Sequence, residues 1–237
     1  MLRINLLKIV LQRLKLLWNS VQPQLLKNIS AKRYWANHKE IYVPLRVPVI
    51  FDNAVNNTNE LKKILEFGCN NGVNLEYFIN HLENISAVGI DVNPIVKKLE
   101  SKYTNFRGYI SDERILNKFK NNEFSLSFTS SVLDHIPEEK IVVNVLKDLA
   151  NISECIILNE PFLEGVIGDV SEKYRYQVKA GLENPGKAFA KFSYFWNYDS
   201  YLENMGLQFK KIPNPLHKFS LGPFYYIYII NCSEYKI

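Results

Sequence analysis

The sequence predicts one α/β domain whose seven-stranded sheet is mostly parallel and ends in an antiparallel strand. Its 237 residues are enough for one sizeable core and too few for two. From about residue 61, strand and helix signals alternate at the spacing of βαβ units. Near the C-terminus two strand signals follow each other with no helix between them, so these two strands must be antiparallel to each other.

Five apolar segments predict the parallel strands. They occupy residues 62–69, 85–92, 105–111, 124–130 and 154–161. Their nearly continuous apolar runs are typical of strands that helices cover on both faces. The last two strands are expected at 207–213 and 224–232, with a connection rich in proline and glycine between them.

Amphipathic segments between the strands predict the helices. They lie at residues 71–82, 94–103, 113–120 and 138–152, the last one beginning after Pro137. A further helix at 198–205 is expected to end at Gly206. The stretch 162–196 shows no regular pattern, and we expect it to be irregular.

The first 39 residues carry an uneven share of the charge. The chain has a net charge of +5, from 29 basic and 24 acidic residues. Eight of the basic residues and none of the acidic ones fall in this leader, which leaves 21 basic residues against 24 acidic ones in the body. A nucleic-acid enzyme is expected to carry positive charge around its active site, so this distribution argues against a nucleic-acid substrate.

The start of the leader predicts an amphipathic helix. A narrow polar stripe interrupts its apolar residues, and the stripe consists of Asn5, Lys8, Gln12, Lys15 and Asn19. The interrupting charges argue against a membrane span, and no signal-peptide cleavage site follows. Two interpretations remain open for residues 1–30. The helix lies in a membrane interface with Trp18 at headgroup depth, or it packs on its own domain or on a second copy in a homodimer.

Cysteine usage indicates a reducing compartment. Cys69, Cys155 and Cys232 are far apart and form no CxxC pair. This spacing argues against a disulfide framework or a structural zinc site. The sequence therefore predicts a cytoplasmic protein, with peripheral contact to the inner membrane face if the leader binds lipid.

The first predicted strand ends in the segment ILEFGCNNG. Gly68 permits a tight turn with close backbone approach, and the helix that follows Gly72 directs amide groups toward a polar ligand. The G-x-G-x-x-G pattern of dinucleotide folds is not met, and Glu66 before the turn favours a ligand with an ammonium or hydroxyls over a pyrophosphate. Asp91, at the end of the next strand, can accept both hydroxyls of a ribose.

Four segments, in this order and spacing, resemble the class I S-adenosylmethionine-dependent methyltransferases, which have a Rossmann-like doubly wound sheet. They are EFGCNNG, AVGIDVNP, YISDERI and FSLSFTSSVLDHIP. The resemblance covers roughly residues 60–232 and implies a methyltransferase domain at 60–237 after a helical extension and lid at 1–59. Two positions depart from the family pattern. Asn70 replaces the middle glycine of the turn, and Ser125 stands where the family often has aspartate.

The resemblance implies S-adenosylmethionine as the cofactor and a set of residues around it. The turn would hold the methionine part, Asp91 with Val92 would hold the ribose, and Asp112 would meet the adenine amino group. The turn residues are Glu66, Gly68, Cys69, Asn70 and Gly72, and Thr129, Ser130 and Ser131 would border cofactor and acceptor. Cys69 is expected to be a packing residue, because no neighbouring basic group in the sequence would activate its thiol.

The acceptor is expected to be a small molecule, with a hydroxyl or carboxyl of a saccharide or lipid-linked metabolite as the methylated group. The segment FTSSVLDHIP, together with Tyr34 and Trp35, resembles bacterial small-molecule methyltransferases, including methylases of surface-sugar biosynthesis. The stretch 162–196 is where this family builds its acceptor pocket. Its aromatic residues suit sugar rings and apolar acceptors alike. The segment NEPF at 159–162 resembles a motif for methylating planar amino groups, but it follows the fifth strand instead of the fourth.

His135 is the first candidate for a catalytic base, because it follows the fourth strand and imidazole titrates near neutral pH. Asp134 and Glu160 are the alternates. A structural role for His135 at a helix entry stays open, as do two other functions: an RNA or protein methyltransferase, and a catalytically inactive membrane-associated binding subunit.

Overall fold

The structure is a computed structural model that describes residues 47–161, 188–190, 193–194, 196–213 and 225–233. The expectations for the leader, including Tyr34 and Trp35, lie outside the described residues. The same holds for most of the stretch 162–196 expected to form the acceptor pocket.

Seven strands form the central sheet. They are β1 Lys63–Phe67, β2 Ser86–Asp91, β3 Phe106–Ile110, β4 Leu126–Ser130, β5 Cys155–Pro161, β8 Phe209–Pro213 and β9 Tyr225–Asn231. Their order across the sheet is β3-β2-β1-β4-β5-β9-β8. Strand β9 is antiparallel to both of its neighbours, β5 and β8, while β1 to β5 pair in parallel. The predicted seven-stranded sheet with an antiparallel last strand is confirmed.

A separate two-stranded antiparallel sheet consists of β6 Ala188–Ala190 and β7 Ser193–Tyr194. It lies in the stretch predicted to be irregular, so that prediction is wrong for these residues.

Four α-helices accompany the strands in the described residues: α1 Val47–Asn57, α2 Val73–His81, α3 Glu139–Ile152 and α4 Tyr198–Asn204. The segments Pro94–Ser101 and Glu113–Lys118 are 3₁₀ helices, so the prediction of ordinary helices there was wrong in helix type. In the first of them, Val96 and Leu99 are buried three residues apart, which is the spacing that aligns side chains on a 3₁₀ helix.

Helix α1 lies within the helical extension expected at 1–59, but its bounds and its packing were not predicted from the sequence. It buries Val47, Ile50 and Ala54 in the cluster that also contains Ile64 of β1 and Phe78 of α2. Although it lies N-terminal to the boundary expected at residue 60, it packs as part of the domain.

The sheet is covered on both faces. Leu65 and Leu158 face the cluster that includes α3 and α4, whereas Ile64 and Phe128 face the cluster that includes α1 and α2. The carboxyl ends of β1 to β5 meet at one edge, where ligands bind in open α/β sheets. None of the described helices is long and apolar enough to cross a membrane.

Candidate functional site

The turn after β1 has a left-handed backbone at three positions. The φ angles are 78° at Gly68, 48° at Asn70 and 76° at Gly72. Asparagine tolerates this region better than most residues, which explains why Asn70 can replace the middle glycine of the family pattern. A Cβ atom at Gly68 would overlap the Val132 side chain, so glycine is also required there by packing.

Glu66 lies directly below this turn and is buried. Nδ2 of Asn74, in the first turn of α2, donates a 2.5 Å hydrogen bond to Oε1 of Glu66. Oε2 of Glu66 and Oδ1 of Asn74 are buried and have no hydrogen-bond partner among the described residues. Burial, the largest effect, raises the pKa of Glu66 to about 8. Two acceptor atoms below the turn therefore lack a donor.

Asp91 ends β2 and faces the same turn. Its Oδ2 accepts a 2.7 Å hydrogen bond from the backbone N–H of Asn70, and its Oδ1 accepts one of 2.7 Å from the backbone N–H of Asn93. Burial raises the pKa of Asp91, and these backbone donors together with that of Val92 oppose the rise. Since a carboxylate can accept about four hydrogen bonds, Asp91 keeps acceptor capacity for a ligand.

Asp112 follows β3 and caps the 3₁₀ helix that begins at Glu113. Its carboxylate forms a bidentate ion pair with Arg114, with Nε at 2.8 Å and Nη2 at 2.9 Å. The family resemblance implied an adenine amino group as the partner of Asp112, and the sequence analysis did not predict this ion pair. The Arg114 side chain is 82% exposed and can therefore move away.

Cys69 is buried in the same turn. Burial, and secondarily the nearby acids Asp91 and Glu66, raise the pKa of its thiol well above the usual value. A thiol that holds its proton so firmly is a poor nucleophile, in agreement with the expected packing role. The other two cysteines, Cys155 and Cys232, are also buried and free.

The end of β4 provides the residues expected to border cofactor and acceptor. Thr129 and Ser130 are buried, and Ser130 accepts a 2.9 Å hydrogen bond from Nδ2 of Asn159 in β5. Ser131 has a left-handed backbone, with φ of 54°, and its N–H donates to the Asn159 carbonyl. The chain thus bends sharply where β4 ends.

The three candidates for a catalytic base lie close together beyond that bend. Asp134 and His135 belong to a 3₁₀ helix, Leu133–His135, and 3.7 Å separates Oδ2 of Asp134 from Nδ1 of His135. Oε1 of Glu160, in β5, accepts a 3.2 Å hydrogen bond from the backbone N–H of Val132. Burial first, and then the charge of Asp134, raise the pKa of Glu160 to about 8. His135 keeps its side chain 20% exposed, so it alone of the three reaches the surface.

Tyr198 completes this group, although nothing in the sequence marked it as a site residue. It is fully buried at the start of α4, and its hydroxyl has no hydrogen-bond partner among the described residues. Burial raises its pKa, and the charges of Glu160 and Asp134 raise it further, so the three groups lie within electrostatic range. Nε1 of Trp196 donates a 3.1 Å hydrogen bond to the Leu133 carbonyl, which anchors this segment beside the 3₁₀ helix.

Val132 connects the two halves of the site. Its side chain packs on Gly68 in the turn after β1, while its N–H holds Glu160. Glu66 and Glu160 lie on opposite faces of the sheet, since Glu66 alternates with the residues Leu65 and Phe67 that face the cluster containing Tyr198. The structure therefore presents a polar turn on one side of Val132 and a group of acids and a phenol on the other.

Neither a family model nor a curated protein matches the sequence. Among solved structures, the chain is similar to N-methyltransferase NodS from Bradyrhizobium japonicum in complex with S-adenosyl-L-homocysteine. The TM-score is 0.60 at 11% identity, covering 86% of this chain and 97% of that one. It is also similar to a SAM-dependent methyltransferase from Archaeoglobus fulgidus, with a TM-score of 0.54 at 16% identity, covering 78% and 92% of the two chains.

A third similar structure is an O-methyltransferase family protein from Burkholderia thailandensis. The TM-score is 0.57 at 8% identity, and the alignment covers 79% of this chain and 56% of that one. Together these likenesses show that the chain has the fold of the class I S-adenosylmethionine-dependent methyltransferases.

Proposed function

We propose that the protein is an S-adenosylmethionine-dependent methyltransferase that acts on a small molecule. The observation that carries the proposal is the pair of buried acceptors without donors, Oε2 of Glu66 and Oδ1 of Asn74, below a glycine turn of the methyltransferase fold. These atoms would receive hydrogen bonds from the ammonium of the methionine part.

The remaining residues fit the rest of the cofactor. The Asp91 carboxylate retains acceptor capacity that would receive a ribose hydroxyl. Asp112 would accept a hydrogen bond from the adenine amino group. Either Arg114 moves aside, or the carboxylate uses the lone pairs that Arg114 does not occupy. Thr129, Ser130 and Ser131 would line the path from cofactor to acceptor.

The bound cofactor supplies an activated methyl group on a positively charged sulfur. The chain's residues would align the acceptor atom with that methyl group and take up the acceptor proton. His135 is the preferred base because it is partly exposed and close to Asp134, whose carboxylate stabilises a protonated imidazole.

For the acceptor we propose a saccharide or lipid-linked metabolite. The sequence left open a hydroxyl and a carboxyl as the methylated group. The negative charge of Asp134 would repel an acceptor carboxylate, so this buried acid favours the hydroxyl. The stretch 162–196 is proposed to contribute to acceptor binding, and the part of residues 1–59 that precedes α1 is proposed to act as an extension and lid.

We further propose that residues 1–30 contact an anionic membrane surface on the cytoplasmic side or join two copies of the chain. The support for this proposal is the amphipathic pattern and the eight basic residues of the leader. Membrane contact would bring the site to a lipid-linked acceptor.

The cofactor proposal is tested by thermal unfolding with S-adenosylhomocysteine. A ligand that binds only the folded protein raises the melting temperature by mass action. We expect a rise for the wild type, loss of most of that rise in Asp91→Ala, and a full rise in the control Asp52→Ala, which removes an exposed carboxylate on α1. A shift with NADH but none with S-adenosylhomocysteine would refute the proposal.

A further inference from the structure

Asp134, Glu160 and Tyr198, here called the acidic cluster, concentrate acidic groups near the candidate base His135. All three residues are buried and belong to different elements: the 3₁₀ helix after β4, strand β5 and helix α4. Among the described residues whose charges act on Glu160, Asp134 is negative and His135 is the one that can become positive. Around Glu160, the described residues therefore provide no lysine or arginine charge that would compensate an ionised carboxylate.

Two atoms of the acidic cluster also form no hydrogen bond of normal geometry among the described residues, although the Thr129 hydroxyl is near enough to Glu160 to lower its pKa. They are Oε2 of Glu160 and the hydroxyl of Tyr198, both without solvent contact. A buried polar atom without a partner costs free energy, so such atoms are rare unless a ligand meets them. The carboxylate offers an acceptor, and the phenol can either donate or accept. A ligand with several N–H donors and a positive charge satisfies both atoms.

We propose that the acceptor molecule carries a protonated amino group that binds to Glu160 beside Asp134 and Tyr198. The inference rests on the proposed function and names the class of its substrate: an amino sugar or another aminated saccharide or lipid-linked metabolite. The ammonium is bound by the acidic cluster, while His135 serves the group that is methylated.

The protonation states of the two partners fit this arrangement. A carboxyl with a pKa of about 8 holds a large share of its protons at neutral pH when nothing binds it. A simple alkyl ammonium has a pKa of about 10, as lysine does, and the oxygen substituents of an amino sugar lower that pKa, so the negative charge of Glu160 is what keeps the amine protonated when the two groups meet. The carboxyl then releases its proton to solvent and forms an ion pair. A neutral amide or hydroxyl would give no such charge compensation.

Chemical acetylation of amines in a cell extract that contains the natural acceptor tests this inference. The full-length protein is incubated with tritium-labelled methyl donor and a small-molecule extract of the cells that produce it. Half of the extract is first treated with sulfo-N-hydroxysuccinimide acetate, which acetylates amines, and the other half with the hydrolysed reagent. We expect labelling of the acetylated extract to fall at least tenfold.

Two variants locate the effect at Glu160. Glu160→Gln keeps the shape and the acceptor for the Val132 N–H but removes the charge, and we expect at least a tenfold loss of labelling in the untreated extract. At about pH 5, where Glu160 is protonated in the folded protein, the melting temperature of this variant and the increase in that temperature with S-adenosylhomocysteine should match the wild type. Glu203→Gln, an exposed acid on α4, is the control and should label normally.

The outcomes separate the inference from the proposed function. Equal labelling of both extracts, or normal labelling by Glu160→Gln, overturns the inference and leaves the methyltransferase proposal standing. Absence of labelling from both extracts, with wild-type protein that is folded, overturns the proposed function and the inference with it.

Discussion

Asn74 holds the buried carboxylate of Glu66 through one oxygen, with a 2.5 Å hydrogen bond, and leaves the other oxygen without a partner among the described residues. One neutral donor does not offset the cost of burying a charge, so the pKa of Glu66 stays raised, at about 8. A cationic ligand would supply the second hydrogen bond and the positive charge that the described residues do not provide to this carboxylate.

Protonation of Glu66 makes the stability of the ligand-free protein depend on pH. The folded-state pKa of about 8 exceeds the ordinary value of 4.5, so the folded state binds the proton more tightly than the unfolded state does. The stabilisation is complete below pH 4.5 and is lost as the pH rises to 8. We expect Glu66→Gln to flatten this decline by up to about 1.4 kcal/mol per pH unit, measured by urea unfolding from about pH 5 to 8. Equal slopes for variant and wild type would contradict the assignment.

Removal of Asn74 should weaken cofactor binding. Without its side-chain amide the charged form of Glu66 loses the hydrogen bond that stabilises it, so Asn74→Ala should lower the affinity for S-adenosylhomocysteine about tenfold, measured by calorimetry. Asn80→Ala, an exposed change on the same helix, is the control and should bind normally. Equal affinities for both variants would show that Asn74 has no part in the site.

Two glycines have similar backbone angles but different surroundings, so their alanine variants separate the cost of backbone strain from the cost of side-chain overlap. Gly68 and Gly206 have φ angles of 78° and 71°, but a Cβ atom at Gly206 would meet nothing within 4 Å. Gly206→Ala should cost about 1 kcal/mol of unfolding free energy, and Gly68→Ala about 2–5 kcal/mol because the new methyl group overlaps Val132. Urea unfolding measures both, and Val132→Ala should restore part of the loss in Gly68→Ala. If the two alanine variants lose equal stability, the packing argument fails.

His135→Ala should slow turnover by about 10²–10⁴ on a hydroxyl acceptor, because a positioned base is lost. The affinity for S-adenosylhomocysteine should stay close to the wild-type value, since His135 is not among the residues proposed to hold the cofactor. Steady-state kinetics and calorimetry test the two parts. A variant that unfolds would instead support a structural role, and unchanged turnover would assign the proton to Asp134 or Glu160.

The leader should attach the protein weakly and in a salt-sensitive way to anionic vesicles. Each basic residue near such a surface contributes about 1 kcal/mol, in addition to apolar insertion. Flotation with and without anionic lipid compares the full chain with a chain that starts at Ile29. If the full chain stays in the soluble fraction and truncation only converts a dimer to a monomer, the leader serves assembly.

The strands were predictable because their apolar runs are continuous and their ends carry the turn glycines. The 3₁₀ form of Pro94–Ser101 was not predictable, because a short segment with buried residues at positions 96 and 99 fits either helix type. Helix α1 buries Val47, Ile50 and Ala54 at helical spacing, but it is short and adjoins a long leader whose composition dominates the pattern.

The site was predictable where its residues follow consecutive strands, as Glu66 and Asp91 do. Tyr198 escaped prediction because nothing in a single sequence places a tyrosine from α4 beside strand β5. The Asp112–Arg114 pair was not predicted for a different reason: the two residues are close in the sequence, but only the bend of the 3₁₀ helix turns the guanidinium back onto the carboxylate.

Val132 fills the space left by the missing side chain of Gly68 and at the same time presents its amide to Glu160. Because this contact is tightly packed, a shift of the loop after β4 would displace the turn after β1. We therefore expect a ligand on one side of Val132 to change the affinity on the other side. By thermodynamic reciprocity, the acceptor would then change cofactor affinity by the same factor that the cofactor applies to the acceptor.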